Sequence, residues 1–303
     1  MTDLTSPIFH DDEAARAHFE DVLWPNGPVC PHCKATENLT RLQGKSHRPG
    51  LFQCNACRGH FTVMNGSIME RSHVPLHKWA LAFHLMASSK KGMSAHQLHR
   101  MLEINYRTAW FMEHRIRECM TRETNLPPMG GAGVTVEIDE TFIGQKKDMP
   151  KQRGYAHKHA VMTLVQRGGS ARSFHVDGTK AADLLPIIKA NVQPGTRVMT
   201  DEAGQYAHLN KHFDEHQFVS HGTGEYVRGD VHTNTAEGFY SVFKRGMKGV
   251  YQHCSEKHLH RYVAEFDFRY SNRAKLGVDD TERTTRIVRG AKGKRLMYQR
   301  PAL

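Results

Sequence analysis

The chain has 303 residues, of which 39% are hydrophobic and 24% charged, a composition typical of a soluble globular protein with room for two domains. Its 42 lysines and arginines outnumber 31 aspartates and glutamates, and the net charge of +11 favours a polyanionic partner, nucleic acid before membrane, although charge can also serve solubility alone. The sequence has no apolar stretch of the ~20 residues that span a bilayer and no secretory signal, which predicts a reducing cytoplasm and no membrane partner.

The first predicted element is a short helix over residues 10–22, which ends at the turn signal WPNG. Two C-x-x-C pairs follow, with twenty residues between them, and this spacing is typical of zinc sites. Each pair supplies two thiolates, and a hairpin between the pairs closes a tetrahedral site without an open position, so the predicted Zn²⁺ is structural. The alternative is a set of redox dithiols. The predicted ligands are Cys30, Cys33, Cys54 and Cys57.

From Val74 to about Glu118 the hydrophobic pattern becomes helical, with Ser94 as the predicted cap of a second helix and a break at residues 103–105. Two helices joined by a short turn are typical of a helix-turn-helix, whose second helix contacts DNA. A plain helical packing unit is the alternative. The residues predicted to face DNA are Arg107, His114 and Arg115.

The segment LPPMGGAG, residues 126–133, predicts a linker, and the pattern beyond it becomes α/β. We predict a strand over residues 134–139, then two strands joined by a turn at Gly168-Gly169. A helix over residues 181–191 and a buried strand over residues 196–201 follow. The first and last of these strands are predicted to end in an aspartate.

Those two aspartates, Asp139 and Asp201, precede a helix that carries Glu237. Clustered carboxylates suit hard cations such as Mg²⁺, and two such ions about 3.5–4 Å apart support phosphoryl transfer. The ordinary alternatives are turn residues for the aspartates, and a capping box of Asn234 with Glu237. Glu137 shares the strand face of Asp139, where it is either an accessory carboxylate or an exposed side chain.

Lys244 follows Glu237 by seven residues, two helical turns, so both side chains share one face of the helix. An amphipathic helix capped by Ser255 is predicted next. The last thirty residues are rich in arginine and lysine and predict a flexible or DNA-tracking tail.

Several motifs occur together and in order over roughly residues 12–275: WPNGPVCPHC, LFQCNACRGHFTV, VEIDETFIG, VMTDEAGQY and the segment over residues 229–273. In this combination the chain resembles bacterial insertion-sequence transposases of the DDE type with an N-terminal zinc ribbon. The resemblance implies an α/β RNase H-like catalytic domain, with a mixed sheet flanked by helices, behind the ribbon and a helical helix-turn-helix-like domain.

By this resemblance Asp139, Asp201 and Glu237 are the three carboxylates that bind Mg²⁺ or Mn²⁺, and Lys244 contacts DNA near the scissile phosphate. Related groups use an asparagine as the third metal ligand, and Asn234 lies one turn before Glu237. Glu237 is preferred because it alone has the seven-residue spacing to the lysine. Further residues of this helix region predicted to bind DNA are Arg245 and Lys248.

The implied activity is a DNA transposase that binds the terminal inverted repeats of an insertion sequence, cleaves at the element ends and joins the 3′-hydroxyl to target DNA by two-metal phosphoryl transfer. Its partners are double-stranded DNA and at least one further copy of the chain, in the cytoplasm at the nucleoid. The alternatives are an RNase H-like nuclease without strand transfer, and a zinc-ribbon DNA-binding regulator with a retired catalytic domain.

The predicted domains follow from these boundaries. They are an N-terminal helix (1–24), a zinc ribbon (25–66), a helical DNA-binding domain (72–125), a catalytic domain (133–273) and a basic C-terminal tail (274–303).

Overall fold

The computed structural model describes residues 3–122 and 126–297, which divide into two compact units. Unit 1 contains the described residues of 1–89, 93–121 and 278–303, and unit 2 those of 90–92 and 122–277. The ends predicted for the helical domain and for the tail, residues 123–125 and 298–303, lie outside the described residues. Within the described ranges, no helix has the length and apolar character needed to cross a membrane.

The helices and strands are numbered in chain order. The helices are α1 (Asp12–Leu23), α2 (Leu76–Ser88), α3 (Ala95–Leu102), α4 (Tyr106–Met120), α5 (Ala181–Asn191), α6 (Asn234–Gly246), α7 (Glu256–Ser271) and α8 (Asp280–Arg289). The strands are β1 (Leu39–Arg41), β2 (Phe52–Cys54), β3 (His60–Phe61), β4 (Thr135–Ile143), β5 (His159–Gln166), β6 (Ala171–Val176), β7 (Arg197–Asp201) and β8 (Glu215–Val219).

Unit 1 begins with α1 and the small antiparallel sheet β1-β2-β3. The carboxylate of Asp11 caps α1 by accepting the backbone N–H of Ala14 at 2.7 Å. Three aromatic rings form the core of the small sheet, since Trp24 lies edge-on to Phe52 and Phe61, with centroids 5.6 and 5.9 Å away. So small a core buries little apolar surface, and a metal site would have to supply much of its stability.

Helices α3 and α4 are joined by a turn over residues 103–105, where the sequence predicted a break. Ser94 caps α3 by accepting the backbone N–H of Gln97 at 3.2 Å, which confirms that prediction. Glu103 turns the chain in the left-handed region, at φ 49°. The assignment of this helix pair as a helix-turn-helix stays a prediction.

The basic tail was predicted to be flexible or DNA-tracking, and flexibility is wrong for the segment that forms α8, whereas DNA tracking stays a prediction. This helix packs against α2 in unit 1, with Ile287 and Val288 buried. The ammonium of Lys294 donates to the carbonyl of Glu118 at 2.6 Å. The sequence did not predict α8, because the buried stripe of this helix is narrow and arginine and threonine occupy most of its other positions.

Unit 2 is built on a five-stranded mixed sheet in the order β6-β5-β4-β7-β8. Strands β5 and β6 form the antiparallel hairpin that the Gly168-Gly169 turn predicted. Strand β4 pairs antiparallel with β5, and β7 and β8 run parallel to β4. Helix α5 covers one face, where Val136 and Ile138 are buried, and α6 and α7 cover the other. This mixed sheet flanked by helices fits the RNase H-like fold that the resemblance implies.

Strand β4 does not end at Asp139, as predicted, but continues to Ile143. Its pairing with β7 stops at Glu137, whereas its pairing with β5 continues to the end of the strand. The carboxylate therefore lies in the middle of a strand, just past the point where β7 pairs with it. Alternation alone did not reveal this, because only one neighbouring strand supports the last residues of β4.

The buried strands predict a specific response to truncation. Leu164 on β5 is fully buried in the core beneath α5, so Leu164→Ala is expected to lower the free energy of unfolding by about 2–5 kcal/mol. Val227→Ala, at a side chain 51% exposed in the same unit, is expected to cost less than about 0.5 kcal/mol. Urea unfolding followed by far-ultraviolet circular dichroism measures both. Equal losses would contradict the described core.

Candidate active site and metal centre

The four cysteines of the small sheet converge in unit 1. Their sulfur atoms all lie within 4.8 Å of one another. The Sγ atoms of Cys30 and Cys57 are 3.7 Å apart, and those of Cys33 and Cys54 are 3.6 Å apart. These separations exclude disulfides, whose sulfur atoms are about 2.05 Å apart.

The same separations fit a zinc ion. Four thiolates about 2.3 Å from a tetrahedral Zn²⁺ lie about 3.8 Å from one another. Two of the cysteines, Cys30 and Cys54, are buried and two are exposed, so the site lies at the edge of the small sheet. The four cysteines thus form a zinc-ribbon site, and their donor set supports a structural zinc.

In unit 2 the register of two strands aligns the two predicted aspartates. Glu137 on β4 pairs with Met199 on β7 in a parallel ladder. Two residues further on, the same register brings Asp139 beside Asp201 on the same face of the sheet. Their carboxylates are oriented by backbone N–H groups, that of Glu140 at 2.7 Å and that of Ala203 at 3.1 Å.

The electrostatics of Asp139 connect it to the other predicted residues. The pKa of Asp139 is raised to about 7, chiefly by burial and also by the charges of Asp201 and Glu237, whereas the Glu140 N–H and Lys244 lower it. Burial also raises the pKa of Asp201. The other three predicted side chains therefore all lie within electrostatic reach of Asp139.

Helix α6 presents Glu237 at the exposed rim of this site. The hydroxyl of Thr233 donates to Glu237 at 3.3 Å, and the Nε2 atom of His221 is 3.9 Å from the same carboxylate. Buried Tyr240, three residues further on, donates its hydroxyl to the carbonyl of Asp139 at 2.5 Å. This bond ties the helix to the strand at the site.

One interpretation of the sequence took Glu137 to be an exposed side chain. That interpretation is wrong, because the side chain has no accessible surface. Its carboxylate accepts the backbone N–H groups of Thr235 at 2.7 Å and Ala236 at 2.9 Å. It also accepts the Thr235 hydroxyl at 2.7 Å and the guanidinium of Arg167 at 2.6 Å. Strand β4 therefore supplies the carboxylate that satisfies the free N–H groups at the start of α6.

The capping box considered for Asn234 and Glu237 is accordingly wrong. The N-cap residue of α6 is Thr233, and Asn234 is the first helical residue and is exposed. The N–H groups that a local cap would satisfy are bound by Glu137 instead.

The sequence interpretation overlooked Glu140, which follows Asp139 directly. Tyr206 donates its hydroxyl to the carboxylate of Glu140 at 2.6 Å. The pKa of Glu140 is raised to about 7, chiefly by burial and also by the charges of Asp139 and Asp201. Glu140 points to the face of the sheet opposite Asp139, because neighbouring strand residues alternate between faces. The sequence did not reveal that both faces are covered, and so gave no signal for this residue.

The three residues of α4 that were predicted to contact DNA differ in their exposure to solvent. Arg107 is exposed near the start of the helix, where its side chain is accessible to DNA. Arg115 is half-buried, and burial lowers the pKa of its guanidinium. His114 is only 1% exposed, so its prediction as a DNA contact is corrected: on an amphipathic helix this position faces the core.

The three predicted cations of the α6 region are all exposed. Lys244 and Arg245 lie in the last turn of α6, and Lys248 lies in the turn that follows. The Nζ atom of Lys244 is 6.0 Å from the ring centroid of Tyr240, which places it on the Asp139 side of the helix. The cations remain available to a phosphate.

The carboxylates suit a hard divalent cation by their chemistry. Oxygen ligands are those that Mg²⁺ and Mn²⁺ prefer, and the mutual repulsion recorded in the raised pKa of Asp139 is what a cation would relieve. The four cysteine sulfurs lie within 4.8 Å of one another, whereas the carboxylate oxygens of Asp139, Asp201 and Glu237, all among the described residues, do not meet this distance. The donor set is thus of the kind that Mg²⁺ and Mn²⁺ take, although the three carboxylates are farther apart than the cysteine sulfurs.

Zinc in the ribbon has a measurable consequence for cysteine reactivity. Cys33 and Cys57 are exposed and would react quickly with a thiol reagent unless a metal held their sulfurs. We expect the ribbon cysteines of the zinc-loaded protein to react slowly, and all four to react after treatment with a chelator. Cys254→Ser, outside the ribbon, leaves this change intact. Fast reaction of Cys33 and Cys57 without the chelator would contradict a bound metal.

The burial of Glu137 also predicts a large effect. Glu137→Gln keeps the shape but removes the charge that Arg167 and the start of α6 bind, so it is expected to destabilise unit 2 by about 2 kcal/mol or more. Glu225→Gln is the matched control, because its pair with Arg228 is largely exposed and worth at most about 1 kcal/mol. Urea unfolding compares them. A loss no greater than that of the control would refute the anchoring role.

Comparison with known protein families gives two matches that follow one another along the chain. The transposase zinc-ribbon domain matches residues 10–60, which hold the four cysteines. The ISXO2-like transposase domain matches residues 130–271, which hold the sheet of unit 2 and the carboxylates.

A relative from Halobacterium salinarum, described as an uncharacterized protein in transposable element ISH50, is similar along most of its length. It is 29% identical over 282 residues, which cover 86% of this chain and 91% of the relative. Zinc ribbon and catalytic-type domain thus occur in the expected order, in a chain whose relative lies in a mobile element. The chain belongs to the insertion-sequence transposases that carry an N-terminal zinc ribbon and an ISXO2-like transposase domain.

Proposed function

We propose that the chain is a DDE-type DNA transposase that binds the terminal inverted repeats of its element, cleaves at the ends and joins the 3′-hydroxyl to target DNA. The observation that supports this most is the electrostatic environment of Asp139. Two further acidic side chains, Asp201 and Glu237, and one exposed cation, Lys244, act on the same buried carboxylate. Perturbed carboxylates gathered at one place are typical of functional sites.

Asp139, Asp201 and Glu237 would hold Mg²⁺ or Mn²⁺, with Asn234 as the alternative to Glu237. Two such ions supply activation of the attacking oxygen and stabilisation of the leaving oxygen in an in-line displacement. The residues of the chain then keep the ligands in position. Tyr240 holds the backbone of Asp139 from α6, and Glu137 holds the start of that helix against β4.

Lys244 supplies the cation that binds a phosphate beside the carboxylates. It is exposed, lies two turns after Glu237 and lowers the pKa of Asp139 through space. A positive charge there attracts the DNA backbone and offsets part of the repulsion between phosphate and carboxylates. Arg245 and Lys248 extend the same surface along the backbone.

A second basic surface lies in the loop between β4 and β5, residues 144–158. This loop contains five lysines and arginines against one aspartate. Tyr155, 57% exposed, stacks on Phe142 with ring centroids 4.6 Å apart, and the Nζ atom of Lys158 is 5.1 Å from the Tyr155 ring centroid. Because β4 also carries Asp139, we propose that the loop binds the DNA backbone near the cleaved end, with the salt dependence of phosphate contacts.

The ribbon and the α3–α4 pair are the proposed reader of the terminal repeat. Arg107 would contact DNA from the exposed start of α4, and half-buried Arg115 is a weaker candidate. Two element ends have to be joined to one target, so we propose that at least two copies of the chain assemble on DNA.

The proposal is tested by strand transfer from a labelled DNA that carries the element's own end into a plasmid, with Mg²⁺. Glu237→Gln is expected to lower joining at least about 100-fold, since even residues that only orient metal ligands commonly contribute 10–100-fold. Asn234→Ala is expected to keep joining within a few-fold. Glu225→Gln, a glutamate outside the site, is the control and should match the wild type.

The other results have definite meanings. Loss of joining with Asn234→Ala alone would make Asn234 the third ligand. Cleavage without joining by the wild type would favour a nuclease. Tight binding to the end, with neither cleavage nor joining, would favour a DNA-binding regulator.

A further inference from the structure

Unit 2 contains a second cluster of metal-ligating side chains, apart from the catalytic carboxylates. It consists of His159 at the start of β5, His175 on β6 and Glu256 in the first turn of α7. One ligand atom from each lies within 4.8 Å of those from the other two. The Nδ1 atom of His159 is 3.6 Å from Glu256, and the two imidazole rings meet edge to face with centroids 5.4 Å apart.

The sheet register explains why the two histidines meet. His175 pairs with Val161 across β5 and β6, two residues beyond His159, so both imidazoles stand on the same face. That face is the one that α6 and α7 cover. Two strands and one helix start therefore contribute one ligand each.

The Nδ1 atom of the His159 imidazole is positioned to bind a ligand. It is only 3% exposed, and its Nδ1 atom is buried without a hydrogen-bond partner in the part of the chain that the structure describes. Buried polar side-chain atoms seldom lack a partner, so this nitrogen needs an explanation.

The unpartnered nitrogen is the one that faces the carboxylate of Glu256. In a neutral imidazole one ring nitrogen keeps a lone pair, and that lone pair can bind a metal ion.

We propose that His159, His175 and Glu256 bind a transition-metal ion, with Zn²⁺ as the best match. Two imidazoles and one carboxylate are a common ligand set for zinc, with a fourth position for water. Ligand atoms around a tetrahedral zinc lie about 3.3 Å apart, so the present 3.6 Å between His159 and Glu256 needs little closure. The alternative is a simple ion pair between protonated His159 and Glu256.

The ion would join β5, β6 and the start of α7. The charges around it are mixed: Glu256 favours a cation, whereas Lys146 lies close enough to His159 to oppose one. The site is therefore expected to bind zinc more weakly than the four thiolates of the ribbon. It would lock α7 against the sheet when zinc is present, independently of the catalytic proposal.

The test is zinc stoichiometry of the full-length protein after dialysis against buffered micromolar Zn²⁺. His175→Ala and Glu256→Gln, both at accessible side chains, are each expected to bind one zinc fewer per chain than the wild type. His208→Ala, an exposed histidine elsewhere in unit 2, is the control and should match the wild type. Circular dichroism checks that each variant folds.

A second measurement separates this site from the ribbon. With the ribbon already loaded, further zinc is expected to raise the unfolding temperature of the wild type but not of His175→Ala or Glu256→Gln, while all three keep the slow thiol reaction of the ribbon. Equal zinc content in the wild type and both variants would overturn the proposal. So would a zinc deficit in the control of the same size as in the variants.

Discussion

The buried carboxylate of Glu137 is the contact on which the proposed catalytic geometry depends. It sits on β4 two residues before Asp139, on the same face, and binds the first N–H groups of the helix that carries Glu237. Together with the bond from Tyr240 to the Asp139 carbonyl, this side chain sets how the first and third acidic residues lie relative to each other. A buried charge is costly unless it is paired and hydrogen-bonded, and here Arg167 and the start of α6 provide both.

Several negatively charged carboxylates lie close to one another around Glu137. Burial and the neighbouring carboxylates raise the pKa of Asp139 and of Glu140 to about 7 in each case. An unliganded site of this kind weakens the fold, because repulsion among carboxylates opposes their close approach. Functional sites break local rules in this manner, and the surrounding bonds, such as that from Tyr240 to the Asp139 carbonyl, keep the arrangement in place.

What the sequence predicted well was local chemistry. The spacing of the cysteines, the cap at Ser94 and the helix over residues 181–191 each depend on a few neighbouring residues, and the structure has them where expected. What it predicted poorly depends on distant partners. The role of Glu137 requires a helix about a hundred residues away, and the burial of His114 requires the packing of its helix, neither of which a single sequence displays.

The same distinction explains α8. Its composition is that of a basic tail, yet Ile287 and Val288 are buried against helices from the first part of the chain. Unit 1 is therefore assembled from segments on both sides of unit 2, and closing it constrains the long intervening segment. A truncation placed at residue 274 from composition alone would remove part of the unit 1 core, with buried Ile287 and Val288, and its loss of DNA binding would report misfolding as much as missing charge.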